Sequence, residues 1–223
     1  MISRFSDTVN AMSYQIINPK HYLPYLPALE EKLSALEDNR VTYKNEIHRD
    51  SRFAICHYKI SFKDGVYQLK YDEQKSKTTT TEKKTNTDPT LLNCESIQQI
   101  LRQFLADIDD PTLKKVEVKL IQTDVFPFEF NPHRDSQFWR LRHIKYLATV
   151  LISCSGIEGG NMQLFHSEND KLGPFKIIEE LPAVAGTGYI VDERPKRIFH
   201  GMKTATKISD DAHRAALLLR FFD

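Results

Sequence analysis

The chain has few cysteines, little net charge and no long apolar run. Its three cysteines, Cys56, Cys94 and Cys154, are odd in number and widely spaced. They match no zinc-ligand spacing and no disulfide framework, which points to a reducing compartment. A formal net charge of +1 over 223 residues gives no global electrostatic case for nucleic acid or for a membrane surface. The N-terminus lacks the continuous apolar stretch of a signal peptide, and no run of about eighteen apolar residues suggests a transmembrane helix. A soluble cytoplasmic protein is therefore expected. No internal repeat of the solenoid kind is present. What the chain does have is 40% apolar residues, enough for a sizeable core in one large or two small domains.

The first forty residues read as helical, with Leu26, Leu29, Leu33 and Leu36 at helical spacing. Residues 52–71 are rich in β-branched and aromatic side chains around Lys63-Asp64-Gly65, the pattern of a hairpin. Residues 71–90 hold Thr78 to Thr81, several lysines and almost no apolar side chain, so a mobile loop is expected there. Ile97, Ile100, Leu101, Phe104, Leu105 and Ile108 then form one helical stripe, which Asp109-Asp110-Pro111 ends. Beyond Lys114 the pattern turns to strands. Val116 to Leu120 alternates with period two, Lys145 to Ser153 is strongly β-forming, and Glu158-Gly159-Gly160-Asn161 turns into Met162 to Phe165. Gly186-Thr187-Gly188 precedes Tyr189 to Asp192, and two further strand-like runs close the chain. The expectation is one domain over 1–223, of α+β, mainly β, class. A helical and hairpin part fills 1–113, and a jelly-roll sandwich with helical buttressing fills 114–223.

The chemistry concentrates in the second half. His133-Arg134-Asp135 is followed by His200 and then by Arg214. Two histidines and one carboxylate are the ligand set of the facial triad, which holds Fe(II) and leaves positions open. In an extended segment, residues i and i+2 point to one face, so His133 and Asp135 can reach one metal. Pro132 keeps the chain just before it extended. Ile198, His200 and Met202 share a face, as do Arg214, Ala216 and Leu218. If these two strands form a hairpin turning near Lys207, His200 stands opposite Arg214 at about 5 Å. The tetrapeptide His-Arg-Asp-Ser also occurs at 48–51. Paired with His133 as distal histidine and Arg142 as cation, it gives a rival set. That set must span the loop and the helix, and it leaves the last strands without a role. A kinase reading of His-Arg-Asp fails, since no glycine-rich nucleotide loop and no Asp-Phe-Gly accompany it.

From Phe130 to Asp223 the chain resembles the catalytic core of the Fe(II)/2-oxoglutarate-dependent dioxygenases. Within them it is most similar to the small bacterial family that includes isoleucine hydroxylases acting on free amino acids. The residues that carry the resemblance are Pro132 to Asp135, Tyr146 to Ser153, Gly159 to Leu164, Arg197 to His200, and Arg214 with Leu217 to Leu219. It implies a double-stranded β-helix of cupin-like type, with His133, Asp135 and His200 as iron ligands. It also implies Arg214 as anchor for the far carboxylate of 2-oxoglutarate, a group its guanidinium fork suits. Fe(II), 2-oxoglutarate and O2 are then required, and hydroxylation releases succinate and CO2. A carboxylate at 135 argues against the related halogenases, which leave that position to chloride. Desaturation and ring closure stay open.

One departure stands out. Many relatives carry Ser or Thr two residues after the arginine, where this chain has Ala216. Tyr146 or Thr149 is expected to supply the hydroxyl instead. Arg134 and Arg142 are candidate contacts for a carboxylate-bearing small substrate such as an amino acid, with Trp139 as an apolar wall. Neither nucleic acid nor a membrane is an expected partner, and the oligomeric state is not legible. Two rival readings remain: a protein side chain as the substrate of the same kind of enzyme, and a metal-free jelly roll that acts as a binding module.

Overall fold

The structure is a computed structural model, and it describes residues 13–36, 52–83, 88–137, 143–168 and 173–223. The expected hairpin is present. Strand β2 (Arg52–Lys63) pairs antiparallel with β3 (Val66–Tyr71), after β1 (Tyr14–Ile16) near the N-terminus. Asp64 and Gly65 between them have φ of 52° and 78°. Left-handed backbone at both central residues gives the turn whose twist matches the flanking strands. Helix α1 (Leu26–Leu33) buries Leu26, Leu29 and Leu33.

The described part of 71–90 is not a loop. Helix α2 (Glu73–Lys83) occupies most of it, followed by a short 3-10 turn at Pro89–Leu92. Its polar composition gives no apolar stripe, so periodicity cannot reveal it. Hydrogen bonds to the hairpin hold it instead. The Ser76 hydroxyl donates to the Asp72 carbonyl at 2.7 Å and accepts from the His57 amide at 2.9 Å. The His57 ring meets the Thr79 hydroxyl at 2.9 Å. Helix α3 (Glu95–Ile108) matches its expected stripe, with all six of those residues buried. Asp109 ends it in left-handed conformation, its amide donating to the Leu105 carbonyl at 2.9 Å.

The remaining strands are β4 (Lys115–Thr123), β5 (Phe128–His133), β6 (Ile144–Ser155), β7 (Ile157–Gly159), β8 (Met162–His166), β9 (Lys176–Leu181), β10 (Gly188–Asp192), β11 (Ile198–Lys207) and β12 (His213–Phe222). They form two antiparallel sheets. One has seven strands in the order β1-β10-β6-β12-β4-β2-β3; the other runs β5-β11-β8-β9, with β7 also on β11. The expected jelly roll is thus observed, and β1, β2 and β3 extend its larger sheet with strands from the N-terminal part. Alternation along the central strands divides the core. Tyr146, Ala148, Val150 and Ile152 of β6 join Ala215, Leu217, Leu219 and Phe221 of β12 under α1 and α3. Leu147, Leu151 and Ala216 face the other way, onto Met162, Leu164 and Ile198 of the smaller sheet. The site lies on this inner side.

Two glycines are required by close approach. A Cβ on Gly188 would lie 2.0 Å from the Thr149 carbonyl oxygen, and one on Gly159 would lie 2.2 Å from that of Thr204. Gly159 also has a φ of 81°, which side chains rarely adopt. Among the described residues no helix is long and apolar enough to cross a membrane.

Candidate metal centre

His133 ends β5 and His200 lies in β11, and the two are directly paired across those strands. Directly opposed residues project to the same side. The two ring centroids are 4.3 Å apart. Asp135 opens a short 3-10 turn just past β5 and is buried. Its Oδ1 lies 3.8 Å from His133 Nε2 and 3.7 Å from His200 Nε2. One ligand atom from each of the three falls within 4.8 Å of the others. Three donors converging on one point at this spacing can share a small cation.

Protonation supports the same use. His133 Nδ1 lies 2.8 Å from the Asn131 carbonyl oxygen, an acceptor. Nδ1 must therefore carry the proton, which leaves the Nε2 lone pair for a metal. Burial pushes His200 down to about 3, with His133 and Arg220 adding to burial and Asp135 opposing it. Its ring is neutral at physiological pH, the form that ligates. Burial works against ionisation of Asp135, but Arg220, His200 and His133 outweigh it and hold the carboxyl below its ordinary value. The donor set thus fits a divalent ion: two imidazoles and one carboxylate.

Arg220 is the main element that sequence reasoning missed. Its Nε donates to Asp135 Oδ2 at 2.6 Å, and its Nη1 donates to Glu117 Oε1. It sits six residues after Arg214, hence on the same face of β12.

No family model and no curated protein matches the chain. Solved structures do. IDO from Bacillus thuringiensis is 15% identical with a TM-score of 0.65, over 96% of this chain and 91% of that one. The Fe(II)/α-ketoglutarate-dependent dioxygenase TqaL is 14% identical with a TM-score of 0.57, over 97% and 83%. A prolyl hydroxylase from Trichoplax adhaerens, solved with a peptide fragment of hypoxia inducible factor, is 14% identical with a TM-score of 0.51, over 97% and 86%. The fold is that of the Fe(II)/2-oxoglutarate oxygenases.

Within this oxygenase fold the other expected residues fall in three groups. Arg214 is on the inner side, but not through a hairpin. The strands β11 and β12 belong to different sheets, so Arg214 pairs with Cys154 of β6 and Thr123 of β4 rather than with His200. Its link to the triad runs through Tyr189, whose hydroxyl feels the charges of both Arg214 and Asp135. Tyr146 is on the wrong face. Its ring joins the helix-covered core, and its hydroxyl accepts from Arg194 at 2.6 Å and lies 3.2 Å from Asp110. Thr149 is committed elsewhere, donating to the Leu217 carbonyl at 3.1 Å. Arg134 is buried with its guanidinium 4.9 Å from the Phe199 ring centroid, on the side of β11 away from His200. Trp139, Arg142 and the second His-Arg-Asp-Ser at 48–51 lie outside the described residues.

Two aromatic residues stand at the site instead. Tyr189 of β10 is buried, with its ring 6.2 Å from that of His200. Burial raises its hydroxyl pKa, the Asp135 charge adds to this, and Arg214 opposes it. Phe130 is 41% exposed, with its ring 5.8 Å from that of His133.

Glu193, just past β10, is only 2% exposed. The Ser136 hydroxyl donates to its Oε2, while Oε1 has no partner among the described residues. Burial pushes the carboxyl up to about 7, against the Ser136 hydrogen bond. Between an unfolded value near 4.5 and this one, the folded chain holds a proton that the unfolded chain has lost. Stability should therefore fall as pH rises through that window. Glu193→Gln removes the penalty. Denaturant melts should show little difference from wild type at pH 5 and a gain of up to ~3 kcal/mol at pH 8. An equal difference at both pH values contradicts this.

Proposed function

We propose that the chain is an Fe(II)- and 2-oxoglutarate-dependent dioxygenase that hydroxylates a free amino acid or a similar small carboxylate-bearing molecule. The observation that carries this reading is the convergence of His133, Asp135 and His200, with Arg214 on the facing sheet. When bound, Fe(II) with 2-oxoglutarate and O2 would supply the oxidising chemistry: one oxygen atom goes to succinate as CO2 leaves, and the other enters a C–H bond of the substrate.

The chain's own residues do the rest. His133 and His200 offer two ring nitrogens, and Asp135 offers one negative charge toward a dication. Arg214 presents a planar fork to the far carboxylate of the oxo-acid. Tyr189 takes the place expected of Tyr146 or Thr149, because those hydroxyls are committed elsewhere and its own electrostatic neighbours are Asp135 and Arg214. Leu147, Leu151, Met162, Leu164 and Ala216 keep the inner side dry. Phe130 offers an apolar wall for the substrate. The reading takes the chain as cytoplasmic, in keeping with three cysteines that are all free.

A peptide side chain is the second reading, favoured by the likeness to a prolyl hydroxylase solved with a peptide. Mass spectrometry of an amino-acid panel with Fe(II), ascorbate and 2-oxoglutarate separates the two. A product heavier by one oxygen atom, with matching succinate, supports the free amino acid. No modified amino acid, together with a proline-containing peptide made heavier by one oxygen atom under the same conditions, supports the peptide.

A further inference from the structure

We propose that Arg220 is a positioning residue: anchored by Glu117, it ties down Asp135 Oδ2 so that the carboxylate meets the metal through Oδ1 alone. The inference rests on the metal-centre reading above.

The geometry is asymmetric. Arg220 Nε holds Oδ2 at 2.6 Å. The other oxygen, Oδ1, is the atom that lies 3.8 Å and 3.7 Å from the two imidazole nitrogens. The guanidinium is held from behind by Glu117, which is directly paired with Arg220 across β4 and β12. All three side chains are largely removed from solvent. A planar fork with both ends engaged has little freedom to turn.

Two consequences follow for the centre. A carboxylate with both oxygens free can take two positions on a metal. A facial triad must keep three positions open, two for the oxo-acid and one for dioxygen. Engaging Oδ2 preserves that count. Charge is the second consequence. A lone guanidinium would cancel the negative charge with which Asp135 attracts the dication. Glu117 restores it, since one cation between two carboxylates leaves a net charge of −1.

The test compares full-length wild type with Arg220→Gln, Arg220→Lys and Glu117→Gln. Co(II) serves as the probe, because its visible spectrum reports coordination number and geometry. Wild type should bind one Co(II). Arg220→Gln should weaken binding by about 10–100-fold, the usual effect of losing a partner of a metal ligand. Its Co(II) spectrum and its ratio of succinate to hydroxylated product should both change. Glu117→Gln should move the spectrum in the same direction by less. Arg220→Lys should restore affinity in part but not the spectrum, since an ammonium supplies charge without the fork. Variants that melt earlier yet keep the wild-type affinity and spectrum would show a merely structural role and overturn the proposal. If the Arg220 variants do not fold, an unaltered spectrum in Glu117→Gln overturns it equally. Wild type that binds no Co(II) sinks the metal-centre reading together with this one, whereas binding with unaltered variants sinks this one alone.

Discussion

Replacing His200 with alanine should abolish metal-dependent consumption of 2-oxoglutarate while leaving the chain folded. An outer-shell partner of a metal ligand is worth roughly 10–100-fold in affinity, so a ligand itself should be worth at least about 100-fold. With Asp135 and His133 alone, two donors remain where three converge. Fe(II) affinity should fall by that amount, and turnover should fall to the level of the metal-free protein. Folding is expected to survive because the substitution also removes a buried Nδ1 that has no hydrogen-bond partner among the described residues. An unpaired buried polar group costs about 1–3 kcal/mol, which offsets part of the cavity left behind. Metal titration and circular dichroism check the two halves of this expectation. A folded His200→Ala protein that still consumes 2-oxoglutarate at the wild-type rate contradicts it.

Arg214→Met should leave metal binding intact and raise the 2-oxoglutarate concentration for half-maximal turnover by ~100-fold or more. The figure follows from losing two charge-assisted hydrogen bonds of about 1.5–3 kcal/mol each, at 1.4 kcal/mol per tenfold. Arg214→Lys should recover a minor part, because it restores charge but not the bidentate fork. Tyr189→Phe removes one neutral donor, so its effect on the same constant should be about tenfold or less. The ring beside His200 stays in place, and metal affinity should not move. Steady-state kinetics with varied 2-oxoglutarate, alongside Fe(II) titration, separate these cases. Loss of metal binding in Arg214→Met would place this residue in a different role from the one assigned here.

The convergence of His133, Asp135 and His200 was legible because two local rules suffice. Positions i and i+2 of an extended segment share a face, and His200 sits in the strand-like run Ile198 to Met202. The α3 stripe and the Asp64-Gly65 hairpin were legible for the same reason, since each depends on neighbours in sequence. The errors came where the answer depends on which strands are partners. His200 and Arg214 look like a hairpin pair in sequence, but β11 and β12 belong to different sheets. Tyr146 has the right chemistry, and only the sheet order shows that its side of β6 packs under the helices. Helix α2 is built from residues with no apolar pattern, and its stabilising partners lie on β2. Arg220 did leave a signal. A basic residue inside Leu217 to Phe222, on the face already assigned to Arg214, needs a buried counter-charge, and the Asp135 carboxylate was one to suspect.

The most direct test of the central claim is an anaerobic titration of the wild-type chain with Fe(II) in the presence of 2-oxoglutarate, followed by visible absorption. A weak charge-transfer band that saturates at one Fe(II) per chain is the expected result. No band, together with no rise in melting temperature on adding Fe(II) and 2-oxoglutarate, would contradict the claim that these three side chains assemble a ferrous site.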